Sequence, residues 1–216
     1  MSQFFRPYAN TGIRIGALGV FAGPVVVGFA LMGFNRSSYV TQTGLPKAQP
    51  VQFSHQHHAG ALGIDCRFCH TAVEDSSYAN IPPMKTCMTC HSQVWVDSDM
   101  LAPVRESYAS GVPLQWNRVY DLPDFAYFNH SIHVNKGFGC STCHGPVDRM
   151  PLVYRSQALF MSWCLNCHRN PERYVRPAAQ IFTMDWHAPA NQSTLGPRLV
   201  HQNHIRKLDD CYVCHR

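Results

Sequence analysis

Cys66-Arg67-Phe68-Cys69-His70 opens the series that decides how this chain folds. The same pattern, Cys-x-x-Cys-His, returns as Cys87-Met-Thr-Cys90-His91, Cys140-Ser-Thr-Cys143-His144, Cys164-Leu-Asn-Cys167-His168 and Cys211-Tyr-Val-Cys214-His215. The five copies use all ten cysteines in the 216 residues. Two thiols three positions apart reach the two vinyl groups of one porphyrin, and the next histidine turns beneath the ring to bind iron. This is the attachment signature of c-type haem. Structural zinc and disulfides are the rival readings. Zinc does not require a histidine directly after each second cysteine, and disulfides require no histidine at all. The sequence therefore predicts five covalently attached haems c. Cys66, Cys69, Cys87, Cys90, Cys140, Cys143, Cys164, Cys167, Cys211 and Cys214 would form the thioethers, with His70, His91, His144, His168 and His215 as proximal iron ligands.

Eight of the thirteen histidines remain, and six of them fall into a repeat. Phe53-Ser-His55-Gln-His57-His58 precedes Cys66, Phe128-Asn-His130-Ser-Ile-His133 precedes Cys140, and Val200-His201-Gln-Asn-His204 precedes Cys211. The unit is H-x-x-H, six or seven residues, then C-x-x-C-H. The motifs at Cys87 and Cys164 lack an upstream pair of their own. Chain reach then predicts that the first histidine of each pair folds back onto its own haem, while the second crosses to the unpaired neighbour. His55 would cap the first haem, His58 the second, His130 the third, His133 the fourth and His201 the fifth. His204 is left over, as an alternative to His201 or a ligand elsewhere. His57 and His187 are not expected to bind iron. A methionine (Met84, Met88, Met150 or Met184) in place of a histidine would raise that haem's potential. With five irons six-coordinate and no altered motif, electron transfer is expected rather than catalysis at iron.

Apolar residues make up 45% of the chain, but 15 prolines and 14 glycines break them into short pieces. No long amphipathic helix or strand series emerges from the periodicity. The expected fold is a loop-rich wrap with short α-helices, in which porphyrins supply much of the buried apolar surface. The stretches 97–124 and 170–198, rich in proline and polar residues, read as connecting loops. The formal charge of +5 does not indicate nucleic acid, because the propionates of five haems, with the positive charge of each ferric porphyrin core, bring the oxidised holoprotein close to neutral.

From Ile15 to Phe34 twenty residues carry no charge, enough to cross the hydrocarbon core as a helix. Arg6 and Arg14 precede the run and Arg36 follows. Phe4, Phe5 and Tyr8 would sit at the near interface and Tyr39 at the far one. A cleaved signal peptide is the alternative. The run is long for a signal core and no clear small-x-small cleavage site follows, so a retained signal-anchor is expected. Residues 1–36 then form the transmembrane anchor and 37–216 an extracytoplasmic haem domain, because c-type haem is attached outside the cytoplasm. Gly12/Gly16 and Gly19/Gly23 are small-xxx-small pairs that suit close approach of a partner helix. The span has no histidine, so quinone chemistry inside the membrane would belong largely to another subunit.

The anchor, the five C-x-x-C-H motifs and the H-x-x-H units, like those of class III multihaem cytochromes, together resemble the membrane-anchored pentahaem subunit of bacterial alternative complex III. The resemblance covers the whole chain and implies one component of a menaquinol:electron acceptor oxidoreductase in the cytoplasmic membrane, respiratory or photosynthetic. It implies as partners an iron–sulfur subunit, membrane-embedded quinol-site subunits, a monohaem cytochrome c, and a soluble acceptor such as a cytochrome c or a blue copper protein. The competing readings are a stand-alone anchored quinol dehydrogenase feeding a periplasmic reductase, and a multihaem reductase of small oxyanions.

Overall fold

The computed structural model describes Arg6 and residues 8–215, so Phe4 and Phe5 lie outside the described residues. The chain divides into two compact units, Met1–Thr43 and Gly44–Arg216. In the first, α1 (Tyr8–Arg36) runs 29 residues, with a mean hydropathy of 2.1 over its most apolar 18-residue window and no buried residue, followed by the short α2 (Ser38–Thr41). At 1.5 Å per residue α1 is about 43 Å long, more than the ~30 Å of a bilayer core. Pro24 lies within it, and its glycines face open space. It is the one described helix long and apolar enough to cross a membrane.

The second unit is helical and rich in loops. Its α-helices are α3 (Cys66–Cys69), α4 (Met84–His91), α5 (Ala102–Ser110), α6 (His130–Asn135), α7 (Cys140–His144), α8 (Met161–Arg169), α9 (Gln192–Gln202) and α10 (Cys211–Cys214), interspersed with single 3-10 turns. Among the described residues β-pairing is confined to isolated bridges, such as Pro46 with Tyr154 and Phe138 with Val175. Two stretches expected to be loops contain helix. α5 starts with Pro103 in its first turn, where the missing N–H costs nothing. α9 contains Pro197, and the neighbouring Gly196 packs against the Glu172 carbonyl, where any larger side chain would collide.

Only ten apolar side chains, Pro171 included, are buried among the described residues, and six of them fall in two small groups. Val51, Leu101 and Val104 pack with Met84, Met88 and Trp116; Val73, Val134 and Ile181 pack with Phe182. The accessible surface is 15,012 Å², against about 10,000 Å² for a compact globular protein of this mass. Part of that excess is α1. The rest reflects a polypeptide too open to bury its own apolar surface, as the proline and glycine content suggested.

The largest fully buried side chain is Arg176. Its guanidinium donates to the Gln180 and Thr183 carbonyls and to the Ser141 and Thr142 hydroxyls, and lies 4.4 Å from the centre of the Trp186 ring. It thereby ties segment 176–186 to α7. Gly139, one residue before Cys140, leaves the space that the guanidinium fills. Gly139→Ala should lower the stability of the holoprotein by about 1–3 kcal/mol, measured by denaturant unfolding. The loss should shrink when Arg176→Lys is added, because the overlap is with the guanidinium rather than the backbone.

Candidate haem-binding centres

Each Cys-x-x-Cys segment lies on a helix: α3, the end of α4, α7, α8 and α10. Three residues is close to one helical turn, so both thiols of a motif face the same side. All ten cysteines are free thiols. Burial raises the Cys143 thiol to about 12 and the Cys167 thiol to about 11, which keeps both uncharged as a thioether would be. A structural zinc site needs three or four converging ligands. Among the described residues no three His, Cys, Asp or Glu side chains converge in that way.

The motif histidines are aimed by their second nitrogen. Nδ1 lies 2.6 Å from the Asn80 carbonyl in His70, 3.1 Å from Val94 in His91, 2.6 Å from Leu208 in His168 and 3.0 Å from Phe125 in His215. A carbonyl only accepts, so each ring donates from Nδ1 and keeps the Nε2 lone pair for a metal. His144 is held instead by the edge of Tyr120, 4.5 Å between ring centres, whose hydroxyl sits between Ser156 and the Cys143 carbonyl.

The upstream histidines follow the same rule. Nδ1 donates to the Ser54 carbonyl in His58, to Ser77 in His130 and to Asn129 in His133. One phenylalanine clamps each pair. Phe53 meets His55 edge-on at 4.8 Å and His58 face-on at 4.4 Å; Phe128 meets His130 and His133 at the same 4.8 and 4.4 Å. The first unit has one more residue between pair and motif than the second. That residue is absorbed by a π-helical turn, Gln56–Ala61, a geometry common at functional sites. Gly60 lets this turn pack against the Asp148 carbonyl.

Upstream and motif histidines meet ring to ring. The centres are 6.5 Å apart for His55 and His70, 6.2 Å for His58 and His91, 6.3 Å for His130 and His144, and 6.1 Å for His133 and His168. Two metal–imidazole bonds of about 2.0–2.1 Å each, plus roughly 1 Å from each Nε2 to its ring centre, separate trans ligands by about 6.3 Å. The four pairs therefore fit an iron held from both sides. Burial, reinforced by nearby imidazole charge, pushes His55 and His144 down to about 4, and burial also lowers His133. These rings are neutral at physiological pH, the form that binds metal. His55 Nδ1 is buried without a protein partner.

The fifth site differs. His215 has Phe125 as its ring neighbour, at 5.7 Å. Neither His201 nor His204 forms a ring pair among the described residues. His204 adopts a left-handed backbone (φ 51°), and its N–H donates to the His201 carbonyl. Leu199 stands where the other two units have the clamping phenylalanine. His57 lies against Trp95, exposed His187 bonds the Asp185 carbonyl, and Met84, Met88 and Met150 serve packing. Sequence reading gave no role to Phe53, Phe128, Tyr120 or Arg176. The phenylalanines carried a signal, since each stands two residues before the first histidine of its pair.

Residues 34–105 match the class III cytochrome c family and residues 132–216 match the cytochrome c3 family. The first match spans the first two attachment motifs and the second the last three. The chain is also 32% identical over 145 residues to the menaquinone reductase multihaem cytochrome c subunit of Nitratidesulfovibrio vulgaris, covering 57% of this chain and 69% of that relative. The chain belongs to the class III multihaem cytochromes c. It carries covalently bound haem c, and its role is electron transport.

Within this multihaem cytochrome the four ring pairs fall into two classes by angle. The planes are nearly parallel at His55/His70 (2°) and His130/His144 (11°), but steeply crossed at His58/His91 (65°) and His133/His168 (56°). Parallel imidazoles lift the near-degeneracy of the iron d orbitals, whereas crossed ones leave it small. Electron paramagnetic resonance of the oxidised protein should resolve two rhombic low-spin haems and two highly anisotropic ones. Four spins of a single type would contradict this assignment.

Proposed function

We propose that this cytochrome is the membrane-anchored, five-haem subunit of a quinol:electron acceptor oxidoreductase of the alternative complex III kind. α1 would anchor it in the cytoplasmic membrane by a single pass, with the haem unit in the periplasm. The observation that carries the relay reading is the trans spacing of four histidine pairs. Ligands on both sides of the metal leave no position there for a substrate, which favours outer-sphere electron transfer. Haem c bound in these sites supplies a one-electron ferric/ferrous couple. The chain's own residues hold that couple still. The thioethers and the Phe53 and Phe128 clamps fix the ligands, and each Nδ1–carbonyl bond makes its imidazole a stronger donor, which favours ferric iron.

The relative's name ties it to menaquinone, which supports a place for this chain beside membrane-embedded and iron–sulfur subunits that carry out the quinone chemistry. A monohaem cytochrome c and a soluble cytochrome c or blue copper protein complete the proposed set. One-electron sites run in either direction, so the direction of net flow rests on the potentials of the partners. The unpaired His215 is the one observation that favours the second reading, a reductase acting at the fifth haem.

Intact mass should show five haems on the full chain, and mild-detergent purification should bring the larger subunits with it. Carbon monoxide should leave the fully reduced protein unchanged. Tight binding at one haem would shift the assignment to a reductase, and recovery of the chain alone would shift it to a stand-alone quinol dehydrogenase. His133→Met should keep one haem six-coordinate but raise its midpoint potential, by on the order of 0.1 V or more, in a spectroscopic redox titration. An unchanged set of potentials would remove His133 from the ligand set.

A further inference from the structure

Chain order and spatial order of the attachment sites differ. The first and second sites share Phe53, which touches both His55 and His58. The third and fourth share Phe128 in the same way. The junction between these couples runs through the first site and not the second. α6, which carries His130, is mounted on the loop that follows the first motif. The His130 and Ser131 N–H groups donate to Ser77 and Ser76, and Asn135 donates to the Glu74 carbonyl at 2.8 Å. Val73 of that loop packs on Val134 and Ile181, and the Ile181 carbonyl accepts from the Cys140 N–H. Ahead of the first motif, the Gln56 N–H donates to the Met150 carbonyl beyond the third.

The far end is tied on in turn. His168 of the fourth site donates to the Leu208 carbonyl, and Arg169 pairs with Asp209 at 3.3 Å, both just before Cys211. Exposure gives an independent sign of the ends. Of the ten thiols only Cys90 and Cys211 are exposed, and they belong to the second and fifth sites.

From these contacts we propose that the five sites form one unbranched series in the spatial order second, first, third, fourth, fifth, whose outward ends are the Cys87/Cys90 and Cys211/Cys214 sites. Those ends are where a one-electron donor is oxidised and a one-electron acceptor reduced. One electron leaves at one end for each that enters at the other, and the sites between return to their starting state. The inference rests on the five-haem reading above.

The irons of the full-length holoprotein can be located by anomalous scattering at the iron edge or in a single-particle density map. The expected result is that the first-site iron neighbours both the second- and third-site irons, and that the second-site iron is farther from the third than the first-site iron is. An arrangement in chain order, with the second-site iron between the first and third, overturns the proposal while leaving a five-haem relay intact. Fewer than five irons overturns both. Five irons in the proposed order, in a protein that exchanges no electrons with quinol-reduced membranes, would sustain the order and sink the proposed function.

Discussion

The two histidines of the His55/His58 and His130/His133 segments turn to different partners. Their Cβ atoms are neighbours about 5–6 Å apart, but their rings diverge. Each of these two segments thereby joins two attachment motifs, and much of the second unit is arranged around that link. His55 and His58 reach the first and second motifs, His130 and His133 the third and fourth. A single phenylalanine wedged between the two rings holds the divergence. It presents its edge to one imidazole and its face to the other, with nearly identical geometry in both units. The angle classes of the ring pairs follow the same division. The histidine met edge-on lies parallel to its partner, and the one met face-on is crossed with its partner.

The polypeptide around these sites is thin. Its hydrophobic groups are small and separate, and several ring-aiming hydrogen bonds end on loop carbonyls rather than on secondary structure. Covalently held porphyrin is the apolar mass that such a chain lacks. The buried Arg176 serves a related purpose, cross-linking a proline-rich segment to α7 through four neutral acceptors. A lysine would reach fewer of these, because the guanidinium donates in several directions at once.

Much of the site was legible because its chemistry repeats at short range. The motif cysteines and histidines are fixed by the three-residue spacing of two thioethers, and the H-x-x-H segments by their constant distance upstream. Leu199, where Phe53 and Phe128 stand in the other units, was already a visible departure in the third unit, and that is the unit whose histidines the structure leaves unpaired with His215. Helices α5 and α9 were not legible. Pro197 argues against helix when read locally, and the contacts that hold α9 in place, such as Gly196 against the Glu172 carbonyl, join residues far apart in the chain. Arg176 was equally hidden, since nothing within its own segment shows that its acceptors lie on α7.

Sequence alone determined the cofactor chemistry, the number of attachment motifs, the apolar anchor segment and the loop-rich helical class, because each depends on residue type and on spacing within about a turn or two. Tertiary structure decided which sites stand side by side, how the imidazole planes are turned, and which thiols face outward. Those properties depend on distances between segments many residues apart, such as Ser76 against Ser131. Such a distance is set by how loops close around a metal position, and no local pattern records it.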